Sequence, residues 1–281
     1  MDIKNRPKLA HYQYLEHNDL FGDMAMSLQT SQEAIYPRPL SGSVVNNPPP
    51  ALLPARAPIV GRWVTLEPQD AERDADELFE AGHCTPEGLA IWDYLAYGPW
   101  PSVEAYKQTL KAQAASFDPI FYSIRCHATG KRCGQITLMD LNAINGVAEI
   151  GNIWFGPELQ RTRGATEALF LAMDYPMSQL GYRRMQWRCN ALNQRSRSAA
   201  RRLGFRFEGI FYNHLIFKGK NRDTAWYSIL DNEWPVVREL IDYWLADDNF
   251  DEQGQAIESL SALMQQRDGD AWERHQTGDE R

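Results

Sequence analysis

The stretch 157–170, PELQRTRGATEALF, decides how this chain folds. It follows an apolar run, VAEIGNIWF, and leads through two arginines, a threonine and a glycine into a helix that should run to about Gln179. A strand, a tight turn and a helix in that order leave the first helical N–H groups without intrahelical partners, at the positive end of the helix dipole. A pyrophosphate in such a turn would collect several amide hydrogen bonds at once, and Arg161 and Arg163 would add charge-assisted contacts. A plain strand-to-helix connection has the same outline, so the flanking sequence must say whether an anion is held.

Outward from the turn, short elements alternate. Upstream, IVGRWVTLEP suggests a first strand, DAERDADELFEAG an amphipathic helix with Leu78 and Phe79 inward, and SVEAYKQTLKAQAAS a second helix begun by Ser102 as a capping residue. PIFYSIRC and RCGQITLMD form a pair of strands around HATGKR. Downstream, RRMQWRCN places Met185, Trp187 and Cys189 on one face of a strand and Gln186, Arg188 and Asn190 on the other. SRSAARRL is a short helix stopped by Gly204, and FRFEGIFYNHLIF and DTAWYSIL are strands joined by KGKNR. The order is β-α-α-β-β-β-α-β-α-β-β, a mixed α/β sheet. Pro176 should kink or shorten its helix.

Three regions follow. Residues 1–57 read as an N-terminal extension, with a weak helix over Tyr14–Thr30 and a proline-rich linker, NNPPPALLPARAP, expected to be dispensable. Residues 58–234 form the compact domain, and 235–281 a closing helix and an acidic tail expected to be loosely held beyond Asp247.

Composition narrows the class. The 281 residues carry a net charge of −8, with 43% hydrophobic residues, enough for a sizeable core. That total hides an imbalance. Asp231–Arg281 holds 14 acidic and 4 basic residues, whereas Gln160–Arg222 holds 13 basic and 3 acidic. The basic segment suits phosphates, on a small cofactor or on nucleic acid. No apolar run reaches the roughly 18 residues that span a bilayer, and the N-terminus lacks the apolar stretch of a signal peptide. A soluble, cytoplasmic protein is expected. Cys84, Cys126, Cys133 and Cys189 form no CxxC pair, so no metal site is expected. Cys126 and Cys133 flank a hairpin turn, but cytosolic thiols are kept reduced.

The whole run TGKRCGQITLMDLNAINGVAEIGNIWFGPELQRTRGATEALF…LGYRRMQWRCNALNQRSRSAARRLGFRFEGIF…KGKNRDTAWYSIL resembles the GNAT superfamily of acyl-CoA-dependent N-acetyltransferases, most of all its RimJ/RimL-like branch. The resemblance covers about Ile59–Trp234 and rests on several motifs in order: EIG on a strand, Q-x-x-x-x-A-T-E-A, N-x-x-S opening a helix, LGF-x-x-EG and RDTAWYS. It implies a mostly antiparallel sheet, flanked by helices, with a V-shaped splay between the strands Glu149–Phe155 and Arg184–Asn190. It also implies acetyl-CoA as cosubstrate, no metal, and a primary amine as acceptor. The acceptor would be a small molecule, an amino-acid-like compound or a peptide N-terminus. No membrane partner is implied, nucleic acid is disfavoured, and a homodimer is left open.

The resemblance carries over residue by residue. The cofactor would lie along Trp154 and Phe155, with its pyrophosphate on Gln160, Arg161, Thr162, Arg163, Gly164, Ala165 and Thr166. The family's usual pattern in that loop is Q/R-x-x-G-x-G/A. Here Arg163 stands at the first glycine position, so its side chain must point away. Asn193 would contact the pantetheine amides. Glu149 is the base candidate, acting through water, and a backbone N–H near the end of its strand would bind the carbonyl oxygen. Some relatives protonate the leaving thiolate with a tyrosine on the helix after N-x-x-S. None is present here, which leaves Ser196, with Tyr212 as the next donor to test. Ser196 and Asn193 could instead simply cap a helix. Trp92, Tyr94 and Tyr97, in the aromatic stretch Ile91–Trp100, would line the acceptor pocket or cover the sheet edge as core. His214 reads as packing. Two other functions stay open: an RNA-associated acyltransferase on aminoacyl-tRNA, and a non-catalytic acyl-CoA sensor.

Overall fold

A computed structural model describes residues 34–42, 44–45 and 50–277, with side chains through Gly269. The expected helix over Tyr14–Thr30 lies outside the described residues. Eight strands form one sheet in the order β1-β2-β3-β4-β5-β6-β8-β7. They are β1 Ile59–Val60, β2 Val64–Pro68, β3 Ile120–Cys126, β4 Arg132–Asn142, β5 Val147–Phe155, β6 Arg184–Asn190, β7 Arg206–Phe217 and β8 Lys220–Leu230. Every neighbouring pair is antiparallel except β5 with β6.

That one parallel pair shapes the molecule. β5 and β6 are joined only where Val147–Glu149 meets Arg184–Gln186. Beyond it β6 continues with β8 and β5 continues with β4. The two central strands therefore part immediately after Glu149, and residues 150–155 have no strand partner on the β6 side. This is the expected V-shaped splay in an α/β, mostly antiparallel sheet.

The helices follow from their caps and apolar faces. Asp70 accepts from the Glu72 and Arg73 N–H groups to start α1, Ala71–His83, which buries Leu78. Phe79 is half-buried and stacks on His83. Ser102 caps α2, Val103–Ala115, as its position suggested. Thr162 caps α3, Arg163–Asp174, and the helix then widens into a turn of π geometry over Tyr175–Gln179, where Pro176 removes an N–H donor. Asn193 caps α4, Gln194–Arg202, and Gly204 follows it at φ 88°. β6 alternates as predicted, with Met185, Trp187 and Cys189 in the core beneath α3 and α4.

The described flanks of the compact domain depart from expectation on both sides. The acidic tail is not loose along its length. After α5, Trp234–Leu245, the chain returns, and α6, Leu260–Thr277, buries Leu260 and Met264 while Arg267 donates to the Gly204 carbonyl. Spaced apolar residues in an acidic segment were enough to dock it. The described part of the N-terminal extension is likewise packed. Arg38 pairs with Glu208 and Glu233. Tyr36 lies under the Arg206 guanidinium at 3.4 Å. Ala51 is buried, and its N–H donates to Ala143 O. Low periodicity made these residues read as a linker, but extended chain can dock through single side chains. All four cysteines are free thiols.

Candidate active site

The site is built where β5 and β6 part. Alternation along the strands puts Glu149, Gln186, Arg188, Trp226 and Arg222 on one sheet face, opposite the face covered by α3 and α4. Glu149 is 3% exposed. Burial pushes its carboxyl up from 4.5 to about 7, against the opposing pull of Arg188. Arg188 forms an ion pair with Glu149 Oε2 and a second with Asp140. No donor other than Arg188 reaches that oxygen among the described residues. A buried carboxyl poised near neutrality beside an opening is the pattern a general base requires.

Next to Glu149, β5 carries a bulge against β4, with Asn152 in the left-handed region at φ 49°. Thr137 Oγ1 donates to Gly151 O, and Gln135 Nε2 donates to Asn152 O. Those two carbonyls are thus held from the β4 side. Gln135 also donates to the Tyr97 hydroxyl at 3.0 Å, which ties the aromatic segment to this face.

On the opposite face, Trp187 Nε1 donates to Ser196 Oγ at 3.0 Å, and Ser196 N–H donates to Asn193 Oδ1. Asn193 is therefore the cap, and Ser196 is free of that duty. With its oxygen accepting from the indole, the Ser196 hydroxyl keeps its own proton to donate.

The turn that opened the sequence reading is a compact loop. Leu159 and Gln160 N–H groups return to Gly156 O, and Gln160 Nε2 donates to Phe155 O. Thr162 Oγ1 accepts from Ala165 N and donates to Leu159 O. Arg161 sits at φ 62°. The N–H groups of Arg161, Arg163 and Gly164 have no partner among the described residues. Three unpaired amides at a helix start fit a pyrophosphate.

Not every expected residue reaches the site. Arg163 turns away from the loop: its guanidinium donates to Leu245 O, pairs with Asp247 and lies between the Trp63 and Phe250 rings at 4.0 and 4.1 Å. Only its backbone can meet an anion, which is how this chain tolerates an arginine at the loop's glycine position. Thr166 is buried and its hydroxyl accepts from Arg202. Gly164 and Ala165 are also buried, whereas Arg161 is exposed. Trp154 is 2% exposed and packs against Trp92 at 5.3 Å, so only its backbone faces the splay. Trp92 is 1% exposed with Nε1 bonded to Gly82 O. It cannot stack on an acceptor and belongs to the core cluster. Phe155 is half-buried. Tyr97 is half-buried and stays at the site, while Tyr94 is exposed and reaches Leu192 O at 3.5 Å. His214 bonds Thr224 Oγ1, and Tyr212 is exposed.

Sequence reasoning missed the roles of Arg188, Arg222 and Lys218. Lys218 Nζ donates to Trp92 O and Gly98 O, and so pins the β7–β8 turn to the aromatic segment. Arg222 read as part of a turn, but β8 begins two residues earlier, at Lys220. The alternation of β6 did place Arg188 on this face.

A sequence model described as Acetyltransferase (GNAT) domain matches residues 64–206. The chain belongs to the GNAT acetyltransferase family. A crystal structure of a GCN5-related N-acetyltransferase from Brucella melitensis is 42% identical, with a TM-score of 0.75, and covers 77% of this chain and 97% of that one. The Bacillus subtilis protein YdaF, a candidate ribosomal N-acetyltransferase by name, is 30% identical over 173 residues, 60% of this chain and 90% of its own. The spermidine N(1)-acetyltransferase of Escherichia coli K12 is 28% identical over 105 residues, 37% of this chain and 56% of its own. The GNAT family uses acetyl-CoA, and this chain is an N-acetyltransferase. No described helix is long and apolar enough to cross a membrane.

Proposed function

We propose that this acetyltransferase moves the acetyl group of acetyl-CoA to a primary amine by direct attack in a ternary complex, with Glu149 as base and Ser196 as proton donor. The observation that carries the reading is Glu149: a buried carboxyl, raised to about 7, at the point where β5 and β6 separate. An ammonium ion is not a nucleophile, so the acceptor must lose a proton, and Glu149 can take it at neutral pH, directly or through water. The unpartnered edge of β5 offers N–H groups to the acyl oxygen as charge builds there. Ser196, on the other face, returns a proton to the departing sulfur. The loop amides of Arg161, Arg163 and Gly164 hold the pyrophosphate, Asn193 meets the pantetheine arm, and Tyr97 borders the acceptor side.

The arginine-rich segment supports a small cofactor rather than an RNA footprint. Arg184 is paired with Glu208, Arg188 with Glu149 and Asp140, and Arg206 with Glu233 and Asp268. Charges already neutralised by the protein release few counterions from a polyanion. Four free thiols and a metabolic acyl donor fit a cytoplasmic enzyme.

The names of the relatives point to two different acceptors, a ribosomal protein and a polyamine, so the acceptor must be found by experiment. Thiol release from acetyl-CoA, measured over amines, amino acids and short peptides, tests the reading. Turnover that requires an amine and is lost in Glu149→Gln is expected. Acetyl-CoA binding without turnover on any amine would support a sensor instead.

A further inference from the structure

Two orphaned donors lie on the same face of the sheet as Glu149. Trp226 Nε1 and Arg222 Nε are buried, and neither has a hydrogen-bond partner among the described residues. Register explains why they share that face. Glu149 is opposite Gln186, Trp226 is opposite Arg188 one step further along β6, and Arg222 precedes Trp226 on β8 by four residues, an even number. The Arg188 guanidinium lies 4.9 Å from the Trp226 ring. Arg222 is close enough to Glu149 and Arg188 for their charges to act on one another. Arg222 forms no ion pair with any described carboxylate, and its guanidinium lies 5.4 Å from the Phe217 ring.

Leaving two donors buried and unpaired costs free energy that a folded protein ordinarily avoids. Both are donors only, because a guanidinium and an indole N–H cannot accept. The group that satisfies them must bring oxygen lone pairs and, beside an unpaired guanidinium, negative charge. The geometry points to a carboxylate subsite formed by Arg222 and Trp226, and so to an acceptor that carries a carboxylate close to its amine, the chemistry of a free amino acid. This deepens the reading of Glu149 as base and rests on it: with its carboxylate on Arg222 and Trp226, such an acceptor presents its amine toward Glu149. Arg222 is a specificity residue here.

The test pairs each amino acid with the amine that lacks its carboxylate: phenylalanine with phenethylamine, tyrosine with tyramine, leucine with isoamylamine. Thiol release from acetyl-CoA is followed for wild type, Arg222→Met, Arg222→Lys and Trp226→Phe. Wild type should favour the acid over its matched amine by about tenfold or more in kcat/KM. Arg222→Met should erase most of that preference through KM, Trp226→Phe should reduce it, and Arg222→Lys should restore part of it. A wild type that acetylates the amines as well as the acids, or an Arg222→Met enzyme that keeps the preference, would overturn the proposal. C-terminally amidated peptides and the thermal shift on adding acetyl-CoA read the acetyltransferase assignment separately. Turnover confined to simple amines or amidated peptides removes the carboxylate subsite and leaves the enzyme. Silence on every acceptor, with acetyl-CoA still bound, removes both.

Discussion

Replacing Glu149 by glutamine exchanges a buried, titrating carboxyl for a neutral amide of the same size, and the structure fixes how stability should then respond to pH. Burial raises this carboxyl from 4.5 to about 7 even with Arg188 beside it. The folded protein thus holds the proton more tightly than the unfolded chain does. The stability this contributes is complete below about pH 4.5, declines as the pH rises toward about 7 and is flat above that. At about 1.4 kcal/mol per pH unit, an interval of roughly 2.5 units removes on the order of 3 kcal/mol. The glutamine variant has no such loss. Urea unfolding of both proteins at pH 5 and pH 8 should show the variant gaining about 2–3 kcal/mol on wild type between the two. Arg188 keeps Asp140 as partner in the variant, so the comparison is not dominated by a stranded charge. A stability difference that does not change with pH would show that the carboxyl ionises at its ordinary value, and would refute the argument that burial prepares it as a base. In parallel, wild-type kcat/KM should rise through about pH 7, and the variant should lose on the order of 10²–10⁴ in rate.

Five further outcomes follow from the same contacts. Ser196→Ala should lower kcat by about tenfold or more while thermal stability and acetyl-CoA affinity barely move. Asn193→Ala should instead cost about 1 kcal/mol of stability, because the cap is lost; both are read by steady-state kinetics and melting curves on one preparation. Arg163→Ala should destabilise the protein by about 1–3 kcal/mol through the lost contacts to Leu245, Asp247, Trp63 and Phe250. Arg161→Ala should leave stability alone and weaken CoA binding in titration calorimetry. Truncation to Pro58 removes Arg38 from Glu208 and Glu233, which keep Arg184 and Arg206, and chemical denaturation should report a loss of about 1–3 kcal/mol.

Much of this architecture was legible in the residues, and the failures have definite causes. The alternation Met185, Trp187, Cys189 against Gln186, Arg188, Asn190 gave β6 and both its faces, because strand period depends on local sequence alone. The helix of α3 and the cap residue Asn193 were readable for the same reason. The destinations of long side chains were not. Nothing local says that Arg163 lies between Trp63 and Phe250, residues about 100 and 87 positions away in sequence. Trp92 stayed between stacking platform and core because an aromatic cluster has the same composition whether it lines a pocket or fills a core. Arg222 was lost to a turn reading, since KGKNR carries every mark of a turn and its last residues still enter β8. The tail beyond Asp247 was judged by charge, and Leu260 and Met264 outweigh that charge once α5 presents an apolar face.

The proposed mechanism turns on where the thioester lies, and a crystal structure of the complex with acetyl-CoA measures that directly. The pantetheine arm should run along the free edge of β5 between residues 150 and 155, with its sulfur within about 3.5–4 Å of Ser196 Oγ and the pyrophosphate on the Arg161, Arg163 and Gly164 amides. A cofactor bound outside the β5–β6 splay, or a sulfur out of reach of Ser196 with the pyrophosphate off the loop, would contradict it.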